Sequence, residues 1–131
     1  VFHLVAEGRD TRPKVFRSYW LQLKTVIKEL GVGEVVTIAG RFYAMDRDKR
    51  FDRTNQALMA MICGKGNSFR SVDQYVEERY RAGESDEFLT PGFNANCPAG
   101  LIKPDDVVLA FNFRIDRAIQ LNAVLSNPHY L

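Results

Sequence analysis

Residues 40–53, GRFYAMDRDKRFDR, decide how the rest of the chain is read. The segment leaves an apolar run at 35–39 (VVTIA) through one glycine, Gly40. It carries Arg41, Arg47, Arg50, Arg53 and Lys49 interleaved with Asp46, Asp48 and Asp52. An unpaired buried charge costs several kcal/mol, so this many charges around Phe42 and Tyr43 imply a wet, electrostatically arranged site at the end of a strand. The plainer reading is a solvated loop and helix start laced with ion pairs. Recurrence favours the site: Arg9-Asp10 follows the first apolar run, and Arg114-Ile115-Asp116-Arg117 follows the last.

Working outward, residues 1–6 (VFHLVA) read as a short buried strand ending at Glu7-Gly8-Arg9-Asp10. Between 14 and 30 the apolar residues Val15, Phe16, Tyr19, Trp20, Leu23, Val26, Ile27 and Leu30 recur at intervals of three and four, with Gly31 placed to stop a helix. Strand, helix and a β-branched second strand at 35–39 make a βαβ unit with parallel strands. A second helix is expected over 52–63 and a third from Ser71, with Gly64 and Gly66 read as a helix stop and turn rather than a phosphate loop. Residues 83–104 hold three of the five prolines and no helical period, so they read as a long irregular connection with a short strand at 87–90. Residues 107–113 (VVLAFNF) read as a third strand, delivering the chain to Arg114. A helix follows from about Asp116 to Leu125, closed by Asn127-Pro128. The expected architecture is α/β, a three-layer α/β/α arrangement on a mainly parallel, mixed sheet.

The arginines then fall into place. Ligands of such sheets gather outside the carboxyl ends of the strands, and each expected strand ends at an arginine: Arg9, Arg41 and Arg114. Arg117 lies on the same side of a helix start whose free N–H groups favour an anion. The acidic neighbours Asp10, Asp46 or Asp48, and Asp116 would hold the guanidinium forks and leave some carboxylate for proton transfer. The ligand expected is small and bears phosphate, carboxylate or both.

Composition narrows the classes. At 131 residues and 46% hydrophobic content the chain is about one domain long, and 18 basic against 16 acidic residues leave a charge of +2, too little for a general polyanion or nucleic-acid binder. Arginines outnumber lysines two to one, a bias toward planar, bidentate anion recognition. Cys63 and Cys97 have no paired spacing and read as reduced thiols in a cytoplasmic setting. No apolar run approaches membrane-spanning length. His3 reads as a core histidine and His129 carries no signal; two isolated histidines and two isolated cysteines give no metal set. The opening Val1-Phe2 reads as a start inside a strand, hence a piece of something larger.

At these residues the chain resembles the cofactor-independent (2,3-bisphosphoglycerate-independent) phosphoglycerate mutases: HLVAEGRD at 3–10, GRFYAMDRDKR at 40–50, SDEFLTP at 85–91 and FNFRIDRAIQ at 111–120. Glu7 is a departure, because the family usually has Asp there. The resemblance implies a two-domain enzyme, in which a phosphatase-like domain carries two Mn²⁺ or similar ions and a phosphoryl-accepting serine. Residues 1–131 would be the central part of its inserted phosphotransferase domain. It further implies that Arg9, Arg41, Arg47, Arg114 and Arg117 grip the phosphate and carboxylate of 3-phosphoglycerate or 2-phosphoglycerate, and that Asp10 meets the substrate hydroxyl as a general base or acid. The serine and metal ligands have no counterpart among these residues, so the piece is expected to be inactive alone; the intact enzyme is expected to be a cytoplasmic monomer. A free-standing anion-binding module and a purely structural charge network are the alternatives.

Overall fold

The computed structural model describes residues 1–127; Pro128, read above as part of the helix closure, and His129 lie outside the described residues. The chain runs β1 (Phe2–Ala6), α1 (Phe16–Leu30), β2 (Val35–Gly40), α2 (Arg41–Ala44), α3 (Phe51–Cys63), β3 (Asn67–Phe69) and α4 (Val72–Arg81). A 3-10 turn (Asp86–Phe88), β4 (Gly92–Asn94), a second such turn (Pro98–Gly100) and α5 (Ile115–Ser126) complete it. The helix stops act as their glycines dictate. Gly31 and Gly64 both adopt left-handed φ, +67° and +60°, and return their N–H to the last turn. Ser71 caps α4 by accepting the Gln74 N–H.

The strand order is β1-β2-β4-β3. β2 runs parallel to β1, with Leu4 opposite Ile38 and Ala6 opposite Gly40; it is antiparallel to β4, which is parallel to β3. Two of three pairings are parallel, so the expected mainly parallel, mixed sheet holds. All six residues of β2 are buried, as a central strand covered on both faces requires. Its consecutive Ile38 and Ala39 point to opposite faces and seed separate cores. Ile38 packs with Ala6 of β1, Phe16 and Trp20 of α1, and Tyr75 and Val76 of α4. Ala39 packs with Ala44 and Ala57, flanked by Tyr43 and Leu121. Helices therefore cover both faces.

Two expectations fail. Residues 107–113 form no strand, and Val107, Leu109, Phe111 and Phe113 stand almost wholly exposed, Phe111 at 97%. Apolar composition reports a tendency to be covered, but a strand also needs a neighbour for its backbone groups. Among the described residues this run pairs with neither edge strand of the sheet, β1 or β3, so its backbone groups have no strand partner. The short strand expected at 87–90 is instead the 3-10 turn at Asp86–Phe88, and pairing begins later, at β4. Here Gly40 donates its N–H to Leu89 O at 2.7 Å, which draws the segment across the end of β2 rather than along it.

Candidate anion-binding site

The site is built from the exits of β1 and β2. Beyond Ala6, Gly8 takes φ +67° and folds the chain so that three successive N–H groups point inward. Glu7 collects them: its Oε2 accepts from Arg9 N (2.9 Å), Asp10 N (2.6 Å) and Thr11 N (3.1 Å). Its Oε1 accepts from the Arg41 guanidinium. One carboxylate thus fixes the first exit loop and ties it to the second.

Arg41 opens α2 directly after Gly40 and is only 4% exposed. A guanidinium so buried survives only with partners, and it has them in Glu7 and in Asp10 Oδ2 at 2.8 Å. The same Asp10 oxygen accepts from Arg114 Nη1 at 2.8 Å, although the two residues are 104 positions apart. Arg114 also reaches Asp116 at 3.4 Å, and Asp116 receives Arg47 Nη1 at 2.5 Å. Arg41, Asp10, Arg114, Asp116 and Arg47 therefore form one continuous chain of ion pairs. Burial, followed by repulsion from Arg117 and Arg114, pushes the Arg41 pKa down, against the opposing pull of Glu87; the cations are crowded enough to raise one another's energy. Hydrogen bonding from Arg47 and then Arg114 holds Asp116 below the ordinary carboxylate range.

Beyond α2 another carboxylate, this one buried, organises the turn into α3. Asp46 Oδ2 accepts from Asp48 N (3.1 Å), Arg50 N (2.9 Å) and Gln120 Nε2 (3.0 Å). Burial alone would raise its pKa, but the Arg50 N–H, the Gln120 amide, the Asp48 N–H and the Arg50 guanidinium outweigh it and hold the carboxylate low. Between these contacts Lys49 sits at φ +59°, a left-handed conformation rare for a non-glycine residue, with its N–H given to Gln120 Oε1 at 2.9 Å. Gln120 also donates to Thr54 at 2.7 Å, so it locks α5 to α3 and carries the start of α5 to the arginines. Arg117 donates from that start to Met45 O at 3.1 Å. Arg53 does not join the cluster; it stacks over Phe42 at 3.8 Å.

Of the residues expected in the site, Arg41, Arg47, Arg114 and Asp10 meet through shared carboxylates, and Arg117 lies beside them. Arg114 arrives as the residue capping α5 rather than as the end of a strand. Arg9 is largely exposed and touches the group through Glu87, at 3.5 Å. Glu7, Glu87 and Gln120 had no place in the sequence-based site. The apolar groove of about 310 Å³ between β1 and α1, lined by Leu4, Phe16 and Trp20 and ending at Glu7 and Asp86, contains none of these arginines and is not the ionic centre. No group of three or more potential metal ligands occurs among the described residues, and no helix of theirs is long and apolar enough to cross a membrane.

A mixed α/β sheet whose strand exits hold one buried guanidinium, with further arginines brought in by a distant helix start, defines a class: mixed α/β domains with an arginine cluster at the strand exits. Within it, the chain belongs to the BPG-independent phosphoglycerate mutase family, since residues 1–130 match the family described as the BPG-independent PGAM N-terminus. The fold is shared with the phosphoglycerate mutase of Leishmania mexicana solved at low cobalt concentration. That likeness has a TM-score of 0.86 and 22% identity over 95% of this chain, which spans 25% of the length of the Leishmania chain.

Proposed function

We propose that these residues are the substrate-clamping portion of a phosphoglycerate mutase that interconverts 3-phosphoglycerate and 2-phosphoglycerate, the central part of its phosphotransferase domain. The observation that carries the reading is Asp10 held by Arg41 and Arg114 at 2.8 Å each, which places guanidinium groups from the two ends of the chain around one carboxylate. A ligand with a carboxylate and a phosphate matches such a set, because guanidinium forks bind both groups bidentately.

In this reading the phosphoryl group passes from the glycerate oxygen to a serine on a phosphatase-like domain outside these residues, then returns to the neighbouring hydroxyl. The two Mn²⁺ or similar ions expected there would stabilise the phosphoryl charge. The work of this chain is to keep the released glycerate bound while it turns. Arg41, buried and fixed by Glu7, is the stationary arm; Arg9, Arg47 and Arg114 exchange their present carboxylate partners, and Arg117 the Met45 carbonyl, for substrate oxygens. Asp10 has Oδ1 to offer the substrate hydroxyl while Oδ2 keeps the Arg41 guanidinium. Enclosure between two domains would keep water from the phosphoserine.

Two measurements test the proposal. Calorimetry on the chain should give weak, salt-sensitive 3-phosphoglycerate binding that Arg114→Ala lowers by about tenfold or more. A coupled enolase assay on the chain alone should give no turnover. No binding by the unaltered chain, or turnover by it, would overturn the corresponding half.

A further inference from the structure

We propose that Asp86, which touches none of the clamp arginines, is the positioning residue that sets the separation of Arg9 and Arg41. It does so by fixing the 3-10 turn Asp86–Phe88 as a spacer beneath the exits of β1 and β2. Asp86 is 1% exposed, and its partners are anchored on three parts of the scaffold. Oδ2 accepts the N–H groups of Val15 (2.8 Å) and Phe16 (2.9 Å), capping a helix whose own first residues supply no side-chain cap. Oδ1 accepts the Tyr80 hydroxyl from the end of α4, and the Asp86 N–H donates to Pro13 O at 2.7 Å. Burial and then the Asp86 carboxylate push the Tyr80 pKa upward, so the phenol remains a donor.

The turn held this way meets both strand exits at glycine. A Cβ on Gly8 would lie 2.3 Å from Glu87 N and 2.8 Å from Asp86 Cβ; a Cβ on Gly40 would lie 2.3 Å from Glu87 O and 2.6 Å from Leu89 N. Gly8 immediately precedes Arg9 and Gly40 immediately precedes Arg41, so each arginine's backbone rests on the spacer with no side chain between. Glu87 projects from the same turn, 3.5 Å from the Arg9 guanidinium, and its charge also acts on Arg41. Displacement of the turn would move both arms and the carboxylate between them, while Arg47 and Arg117 depend on other elements.

The ligand in this inference rests on the proposed function; the positioning role does not. The test compares the side-chain Nε–Hε NMR signals of the arginines in the unliganded chain, under conditions where urea titration shows each variant folded. Asp86→Asn keeps the volume but turns one acceptor into a donor facing donors, and Tyr80→Phe removes a single donor. Gly40→Ala has a backbone φ of −75°, which alanine adopts freely, so it perturbs only the close approach. Gly31→Ala, at φ +67° with open space around its Cβ, is the control for stability loss alone.

Asp86→Asn and Gly40→Ala are expected to shift the Arg9 and Arg41 signals and leave Arg47 and Arg117 in place. They are also expected to weaken 3-phosphoglycerate binding by about tenfold, with Tyr80→Phe milder and Gly31→Ala without effect on either readout. Arg9 and Arg41 signals that move no further than in Gly31→Ala would overturn the positioning role. Absence of phosphoglycerate binding by the unaltered chain would count against the proposed function alone, and the signals would still decide the role of Asp86.

Discussion

Glu7→Gln separates an organising carboxylate from a decorative one. Glutamine keeps the length and volume of the side chain but has one carbonyl oxygen for four donors: the N–H groups of Arg9, Asp10 and Thr11 and the guanidinium of Arg41. If that oxygen stays with the backbone, an amide NH₂ faces Arg41; if it turns to Arg41, three N–H groups face the NH₂. The first arrangement loses the fewest, one hydrogen bond to a charged group, worth roughly 1.5–3 kcal/mol, while Asp10 still partners the guanidinium and prevents the larger cost of a stranded buried charge. The Glu7 side chain is 28% exposed, so solvent screens this loss only in part. Urea unfolding of the variant should show a stability loss of that size with an unchanged denaturant slope. A loss below about 0.5 kcal/mol, the range of an ordinary surface substitution, would refute the claim that Glu7 joins the two strand exits.

Other expectations follow from the same contacts. Because the folded-state pKa of Asp46 lies below its unfolded value, its contribution is present above the unfolded carboxylate pKa of about 3.9 and is lost as pH falls through the lower folded value. Asp46→Asn should therefore flatten the acid limb of the stability–pH curve in that window, and an unchanged limb would count against the reading. His3 is shifted down, by burial first and the amino terminus second, and donates to or accepts from Thr37 Oγ1 at 2.9 Å. Protonation then favours the unfolded chain, so stability is full above the unfolded imidazole pKa of about 6.5 and falls as pH drops below it. His3→Asn should remove that slope in chemical denaturation between pH 7 and the folded value. The exposed Phe111 and Phe113 should promote self-association; Phe111→Lys should lower the light scattering of concentrated samples without lowering stability by more than about 0.5 kcal/mol.

The longer elements were legible in the sequence because their burial leaves a pattern: α1 through its three-and-four spacing, and β2 through a continuous β-branched apolar run, all six of its residues being buried. β3 (NSF) and β4 (GFN) were not, since three residues carry no pattern and their pairing is set by close backbone approach. A Cβ on Gly66 would lie 2.6 Å from Pro91 O. Residues 107–113 were over-read for the opposite reason, as a strong apolar pattern without a strand to pair with. In the site, the arginines could be found because each follows an apolar run or opens a helix. Their acidic neighbours Asp10, Asp46 and Asp116 could be found as well; which distant group each one meets could not. Asp86 acts on Val15, Gln120 on Asp46, and Asp10 on Arg114, contacts between residues 71, 74 and 104 positions apart that no local spacing encodes. The SDEFLTP segment was visible as a motif, but nothing in its sequence tells of the two glycines that rest on it.

The most direct measurement of the central claim is a titration of the chain with 3-phosphoglycerate followed by the arginine side-chain Nε–Hε signals. Signals of Arg41, Arg47, Arg114 and Arg117 should shift together along one saturation curve, with Arg70 and Arg81, outside the cluster, unmoved. Independent curves for these four, or shifts no larger than those of Arg70 and Arg81, would contradict a shared anion site.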